Sequence, residues 1–222
     1  MSRKFIYILR WCGYGFLLLS ALDTLLSLFP PALTNPLWEM ATISNLIERV
    51  PIPLLGFLLV FWGEEEERRL WEEKFLPILL WICLISGIVF FLLLPLIGIN
   101  TFRIDRANTQ QIDQTLQQEQ QQIEQLSSQI NQVNLEQLKV IANQLKSVGM
   151  EINIDQPQPQ LKADILTQIT KAKTQMPDRA SSRKNNQRFD LLKKSLKIFL
   201  GALIGGTIHL QIWQNSSWIK KL

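Results

Sequence analysis

Asp23 and His209 are ionisable residues that lie inside long apolar runs of this sequence, Asp23 near the end of the first run. His209 is the one histidine of the chain, and Asp23 is the one acid within the first apolar run. Ionisable groups in such surroundings are costly unless they have a partner, so they indicate helix contacts or proton movement. One interpretation is a contact of Asp23 with His209 or with Arg49, which pins helices together or relays a proton. The alternative is that Asp23 is hydrated near the membrane boundary, while His209 bonds to a neighbouring backbone group.

These residues do not form a catalytic constellation, because a carboxylate and an imidazole need a third group that orients them or stabilises the reacting atoms. The sequence contains no hydrolase elbow, phosphate-binding loop, dinucleotide fingerprint or set of metal ligands. Cys12 and Cys83 lie in apolar runs and are typical of small buried hydrophobic residues. We therefore expect a protein that is not an enzyme, with no catalytic residue, no cofactor and no metal site.

Apolar and polar residues are strongly segregated along the 222-residue chain. Its beginning and its end are very apolar, whereas the residues between them are polar. This pattern predicts an all-α polytopic membrane protein with four transmembrane helices and a coiled-coil-like helical insert. The net charge of +4 is scattered and has no aromatic residues interleaved with it, so we expect contact with membrane lipid and no nucleic-acid binding.

Residues 1–100 are predicted to form a membrane region with three spans and one interfacial helix. The spans are expected at about residues 5–29, 43–63 and 75–99. The second span is predicted to kink at its prolines, although a re-entrant segment is the alternative because its uninterrupted apolar run is short. Between the first two spans, Thr34 or Asn35 can cap an amphipathic helix with Pro36 in its first turn.

Residues 190–222 are predicted to hold the fourth transmembrane helix and a short tail. We assign Gly201, Gly205 and Gly206 to helix packing, because small residues at this spacing let another helix approach closely. Basic residues precede the first span and almost none follow it, which favours a cytoplasmic N-terminus and, with four spans, a cytoplasmic C-terminus. Residues 101–189 would then lie on the other side, although basic residues at both ends of this insert favour the cytoplasm.

The insert is rich in glutamine, and its apolar residues recur in alternating steps of four and three. This ladder predicts a coiled-coil-like helix with one polar position, at Glu119. We assign its seam to Ile112, Leu116, Ile123, Leu126, Ile130 and Val133. The ladder skips one residue near Asn134, where the helix is expected to bend or unwind. Because an isolated helix is marginal in water, the seam packs on a second copy, on its own neighbour or on a partner protein.

The insert is predicted to continue past the DQPQPQ segment, whose prolines cannot extend a helix. A second, shorter amphipathic helix follows, with Leu161, Ile165, Ile169 and Ala172 on one face. Residues 176–187 are predicted to be a flexible basic linker to the last span.

The order of features in the apolar part resembles the HpsJ family of cyanobacterial integral membrane proteins. The resemblance lies in ALDTLLSLFPP, NPLWEM, LIERVPIPLLGFLLVFWG and LLLPLIGINTFRI. It covers about residues 5–106, with a looser match in the Gln-rich helix and the final span. The resemblance implies a plasma or thylakoid membrane protein linked to hormogonium polysaccharide production and gliding. It offers no catalytic residues for transfer to this sequence.

We therefore expect a non-catalytic membrane scaffold or accessory subunit that organises a membrane complex through its coiled-coil-like insert. Its expected partners are membrane lipid and other membrane or membrane-associated subunits, with a homo-oligomer as one alternative. The alternative function is a small transporter or channel subunit that uses Asp23 and His209.

Overall fold

The structure, a computed structural model, describes residues 3–62, 68–130, 134–147, 156–216 and 218–219. Their secondary structure is helical, and no strand occurs in these ranges. The helices are α1 (Arg3–Ser27), α2 (Pro36–Glu48), α3 (Pro51–Phe61), α4 (Leu70–Ile130), α5 (Leu135–Ser147) and α6 (Gln158–Asn215). Four stretches, in α1, α2–α3, α4 and α6, are long and apolar enough to cross a membrane. The predicted all-α architecture with four membrane-spanning helices is confirmed.

The chain divides into two compact units. The membrane unit consists of Met1–Ile104 and Asp190–Leu222, and the insert unit is Asp105–Phe189. The sequence predicts a similar division, with its first boundary at residue 100.

α2 begins at Pro36 with Asn35 as its N-cap, which confirms the predicted helix start. The Asn35 side chain accepts a hydrogen bond from the Leu37 amide at 3.0 Å, satisfying one of the amides that a helix start leaves unpaired. α3 begins at Pro51, where proline is tolerated because its missing N–H would have no partner in the first helical turn. The predicted kink therefore lies between α2 and α3.

α2 and α3 together cross the membrane unit from end to end. At one end Glu39 in α2 bonds to Asn100 in α4, and at the other the Val60 carbonyl in α3 accepts a hydrogen bond from Arg68. The segment therefore reaches both polar ends of the membrane unit, as a full crossing requires. Its first half differs from the predicted interfacial helix, because the apolar face of α2 packs in the core with α4 and α6.

Two apolar clusters form the interior of the membrane unit. One cluster joins α3, the start of α4, the end of α6 and a residue that follows α6. It contains Phe57, Val60, Phe61, Leu76, Leu80, Cys83, Ile212 and Ile219. The cluster that joins α2, a later part of α4 and α6 contains Met40, Ile43, Ile47, Ile97, Ile104, Ile198 and Ala202. Many large apolar side chains on the outer faces of α1 and α4 stay exposed, as expected for helices that face lipid.

Glycines allow α1 and α3 to lie very close together in an antiparallel arrangement. A Cβ atom at Gly13 would lie 2.8 Å from the Val60 side chain and 2.9 Å from the Gly56 carbonyl oxygen. A Cβ atom at Gly56 would lie 2.8 Å from the Leu17 side chain. In a membrane, where no hydrophobic force draws helices together, such close backbone packing is a main source of helix association.

Parts of α4, α5 and α6 pack together in the insert unit. Their shared core contains Ile130, Leu138, Ala142, Leu161, Ile165 and Ile169. Asn134 starts α5 with a capping arrangement: its amide donates to the Gln137 side chain at 3.3 Å, and its carbonyl accepts from the Leu138 amide at 3.0 Å. The interruption predicted near Asn134 thus coincides with the start of a new helix.

α6 is one uninterrupted helix that includes residues 176–187, so the prediction of a flexible linker there is wrong. Pro177 lies inside this helix, where it removes one backbone hydrogen bond without ending the helix. Lys184 and Arg188, on either side of the predicted linker's end, pair with acidic residues of α4. These tertiary contacts stabilise a segment whose polar composition alone favours a linker.

We expect Gly13→Ala to destabilise the membrane unit by about 1–3 kcal/mol, because the added methyl group meets the α3 backbone. The matched control is Gly15→Ala, since a Cβ there meets nothing within 4 Å. Thermal unfolding of the two variants in detergent measures the difference. Equal midpoints for the two variants would show that the close approach of α1 and α3 does not matter for stability.

Candidate functional site

Asp23 forms an ion pair with Arg49, which is one of the two contacts proposed from the sequence. Arg49 Nη1 lies 2.8 Å from Asp23 Oδ2, and the two side chains are 50% and 47% exposed. A rise of 1.5 Å per residue puts Asp23 about 20 Å along α1 from Arg10, which lies at one end of the membrane unit. The pair thus joins the last turns of α1 to the residues just before α3, and each charge lowers the cost of the other.

His209 lies in an aromatic enclosure on α6 and is almost completely buried. The centroid of its ring is 5.8 Å from that of Phe57 and 5.4 Å from that of Phe90. Its Nδ1–H donates a hydrogen bond to the Gly205 carbonyl oxygen at 2.7 Å. Within the described part of the chain, neither an ion pair nor a hydrogen bond joins His209 to Asp23. The two intramembrane polar residues thus have separate partners.

An open and mostly apolar groove of about 870 Å³, which we call the membrane groove, runs along the membrane unit. Its walls come from α1, the α2–α3 segment and α4, and His209 reaches it from α6. Trp11, Tyr14 and Trp71 line one end of the groove, and the Asp23–Arg49 pair lines the other. A concave apolar site with a few polar groups at its ends is typical of a binding site for an apolar or amphiphilic molecule.

The end of the membrane unit near Tyr14 holds a buried charge cluster, the arginine end, formed by Arg10, Tyr14, Arg68 and Glu72. Arg10 Nη1 lies 3.6 Å from Glu72 Oε2, and the two side chains are only 5% and 2% exposed. Arg68 donates to the Val60 carbonyl at 3.2 Å, which satisfies an acceptor near the end of α3. Burial, and next the charge of Arg10, lower the pKa of Arg68 to about 10.

Both ends of the described chain lie at the arginine end. Arg10 belongs to α1, and the guanidinium carbon of Arg68 lies 4.8 Å from the ring centroid of Trp218, close to the last described residue. This arrangement agrees with an even number of crossings. The cytoplasmic location of both termini stays a prediction.

A polar network holds the opposite end of the membrane unit. Asn100 is fully buried, and its Nδ2 donates to Glu39 Oε2 at 2.8 Å. Arg103 donates to Asn100 Oδ1 at 3.1 Å and to the Thr34 carbonyl at 2.9 Å. The network thus ties α4 to α2 and to the turn before it, and the apolar clusters lie between the two polar ends.

The three glycines assigned to helix packing all lie at helix contacts. A Cβ atom at Gly201 would collide with the Ile47 side chain of α2. A Cβ atom at Gly205 would lie 3.0 Å from the side chain of Val50, the residue before α3. A Cβ atom at Gly206 would lie 3.3 Å from the Gly87 carbonyl oxygen in α4. These positions have little room for a side chain, so glycine allows α6 to approach its neighbours.

The predicted seam of α4 lies in two different environments. The part of the seam that belongs to the insert core is Ile123, Leu126 and Ile130. Ile112 and Leu116 are half-buried and border a groove of about 330 Å³ between α4 and α6, which we call the insert groove. Val133 lies outside the described residues. For its later part, the seam therefore packs on neighbouring helices of the same chain.

The insert groove continues the seam beyond the part that α5 covers. Ile123 belongs both to the surroundings of the insert core and to the groove lining. The wall from α6 contains the small residues Ala172 and Ala180, which leave space opposite the seam. Arg179 and Arg183 also line the groove and are exposed.

Ion pairs join α4 to α6 within the insert unit. They are Glu124–Lys173, Asp113–Lys184 and Asp105–Arg188. Exposed pairs of this kind are individually weak. From one pair to the next in this order, the α4 residue lies earlier in the chain while the α6 residue lies farther along it. Together the three pairs therefore favour one antiparallel register of α4 and α6.

The family comparison covers nearly the whole chain. A family model described as HpsJ-like protein matches residues 4–217. The chain belongs to the HpsJ-like family. The match includes the insert as well as the apolar part on which the sequence resemblance mainly rests. No curated protein and no solved structure matches this HpsJ-like chain.

The HpsJ-like chain has its charged side chains in pairs and small networks. In the part that the structure describes, no group of three or more His, Cys, Asp or Glu could hold a metal ion. The Arg10–Glu72 pair and the contact of Gly13 with Gly56 were not singled out from the sequence, since their partners are distant along the chain. A signal for the Asn100 network was available, because a polar residue directly follows the apolar run of α4.

We expect Asp23→Asn to destabilise the HpsJ-like protein by about 1 kcal/mol, because it leaves the half-exposed Arg49 charge without its carboxylate. Adding Arg49→Gln to this variant should restore most of the loss. Unfolding in lipid bicelles measures both effects. Glu124→Gln is the control, since it removes the exposed Lys173–Glu124 pair of the insert unit and should leave the stability unchanged. An additive double variant would contradict the coupling.

Proposed function

We propose that this HpsJ-like protein is a non-catalytic scaffold or accessory subunit that organises a membrane complex through its insert. The observation that carries the proposal is the insert groove, where the apolar seam continues beyond its contact with α5. The association with cyanobacterial polysaccharide secretion and motility rests on the resemblance to the HpsJ family. The expected partner is another membrane or membrane-associated subunit.

The insert is able to present its groove without a partner. Ile130, Leu138, Leu161 and Ile165 are fully buried in a core made by the chain's own helices. Outside that core, the ion pairs Glu124–Lys173 and Asp113–Lys184 also hold α4 against α6. A preformed surface of this kind can bind a partner with little rearrangement.

The occupant that best fits the insert groove is an amphipathic helix of a partner protein. α5 already packs in this way on the adjoining part of the seam, and Ile123 connects the two places. A helix that lies in a groove contributes apolar side chains at steps of three and four residues, which match the steps of Ile112 and Leu116. The small residues of α6 leave room for such side chains.

Charge favours an acidic partner helix. Arg179 and Arg183 are exposed beside the groove, and Arg179 donates a hydrogen bond only to the neutral Gln175 side chain, at 3.0 Å, among the bonds described. Glu119 is the one acidic residue among the described groove residues. Complementary charge mainly sets the choice of partner and the rate of association.

The test is capture of partners by the tagged full-length chain from detergent-solubilised native membranes, with identification by mass spectrometry. Ile112→Gln with Leu116→Gln should reduce the captured partner at least about tenfold, equivalent to about 1.4 kcal/mol of binding free energy. The helical circular dichroism signal should stay unchanged, because the buried core residues are intact. Unchanged capture by this variant would refute the groove as the binding surface.

A charge variant and its matched control separate the groove from the general charge of the insert. Arg183→Glu should weaken capture of the same partner, because its charge lies beside the groove. Lys171→Glu makes the same charge change at an exposed α6 position outside the groove lining and should have no effect. If the captured protein is a second copy of this chain in stoichiometric amount, the groove binds that copy in a homo-oligomer and not a different partner.

A transporter or channel subunit is the second candidate, favoured by the observation that Asp23, Arg49 and His209 border one groove. In proteoliposomes this function requires a pH-dependent ion or proton flux that Asp23→Asn with His209→Ala abolishes while the protein stays folded. A flux lost in this way, with partner capture unchanged, would favour transport over the scaffold.

A further inference from the structure

The membrane groove ends beside the arginine end of the bundle. Tyr14 belongs to both, since it lines the groove and lies in the charge cluster with Arg68 and Glu72. From there the groove continues toward Asp23, about 20 Å along α1 from Arg10 by helical rise. An apolar groove that begins beside two guanidinium groups can hold both the chain and the headgroup of an anionic amphiphile.

Two buried polar atoms of the arginine end have no hydrogen-bond partner among the residues that the structure describes. They are Tyr14 Oη and Arg68 Nε. Each is able to donate a hydrogen bond, and a buried donor without an acceptor is destabilising. Their surroundings therefore favour a ligand that supplies acceptor oxygens.

The cluster contains two guanidinium groups, which are able to bind an anion. They belong to Arg10, whose Nη1 lies 3.6 Å from Glu72 Oε2, and to Arg68. The pKa of Arg68 is lowered to about 10 by burial and by the Arg10 charge, so its surroundings are unfavourable to its own positive charge. A phosphate beside Arg68 would remove this penalty, and guanidinium groups bind phosphate through paired hydrogen bonds.

The aromatic residues at this end are those that membrane interfaces favour. Trp11 and Trp71 pack with ring centroids 6.2 Å apart at the mouth of the groove. Arg69 is exposed, and its guanidinium carbon lies 5.1 Å from the ring centroid of Tyr7. Tryptophan and tyrosine typically lie at the level of lipid headgroups, so this end of the groove lies where a phosphate would be.

We infer that the membrane groove holds an acyl chain of an anionic phospholipid, whose phosphate accepts hydrogen bonds from Tyr14 and Arg68. The groove is lined mostly by apolar side chains, which match the chemistry of an acyl chain. An extended acyl chain is narrower than a helix and fits the apolar walls. The inference does not depend on the scaffold function.

The test compares lipids that share chains but differ in headgroup charge. The purified full-length protein in neutral detergent is mixed with dioleoylphosphatidylglycerol or with dioleoylphosphatidylcholine at equal mole fraction. The anionic lipid should raise the unfolding midpoint by about 5 °C more than the neutral lipid, because it binds the folded state. Inorganic phosphate alone should have no such effect, because it lacks the chain.

Tyr14→Phe separates the specific site from general attraction to anionic lipid. It leaves all charges in place and removes one hydroxyl that has no described partner. Without lipid its midpoint should equal or exceed that of the wild type. With phosphatidylglycerol it should lose at least half of the lipid-induced increase.

Ala21→Trp tests the acyl-chain part of the site. Ala21 lines the groove, so a large side chain there should occupy the space and abolish the phosphatidylglycerol effect. Leu22→Trp is its matched control, because Leu22 is exposed on the same helix outside the groove lining. Equal shifts from the two lipids, a full shift from inorganic phosphate, or full shifts in both Tyr14→Phe and Ala21→Trp would overturn the inference.

Discussion

The close contact of α1 with α3 at Gly13 and Gly56 sets the register between these two helices. With the two backbones this near, sliding one helix by a turn would force side chains into the contact. The register that remains places Asp23 of α1 beside Arg49, which lies just before α3. The packing of α4 beside this helix pair then brings Glu72 to Arg10, and the membrane groove is the space between α1, the α2–α3 segment and α4.

The number and type of helices could be predicted from the sequence, because apolar length and periodicity are local signals. Asn35 and Pro36 likewise predict the start of α2, because helix capping and the preference for proline at the first position depend on residues within one turn. The linker predicted at residues 176–187 was wrong for a related reason. The composition of these residues favours a flexible linker, whereas the ion pair of Lys184 with Asp113 in α4 stabilises the segment as part of α6. Contacts between distant residues decide such cases.

The candidate site could be predicted only in part. Asp23 and His209 stand out because charge in an apolar run is rare, yet their partners depend on helix register, which periodicity does not contain. In the structure Asp23 forms an ion pair with Arg49, and His209 donates a hydrogen bond to the Gly205 carbonyl oxygen. The pairing of Arg10 with Glu72 at the arginine end could not be predicted, because no local sequence pattern connects two residues so far apart in the chain. The seam was visible as a pattern, but its division between a closed core and an open groove depends on where α5 lies.

The Asp23–Arg49 pair also bears on how the chain enters the bilayer during synthesis. Asp23 leaves the ribosome with the first span, whereas Arg49 follows only with the next one. Until both are present, the first span carries either an unpaired carboxylate or a protonated one, and each is less favourable in lipid than the finished pair. Insertion of the two spans together, as a helical hairpin, is therefore more favourable than insertion of the first span alone. If the second span left the ribosome late, the first span would be poorly anchored in the membrane.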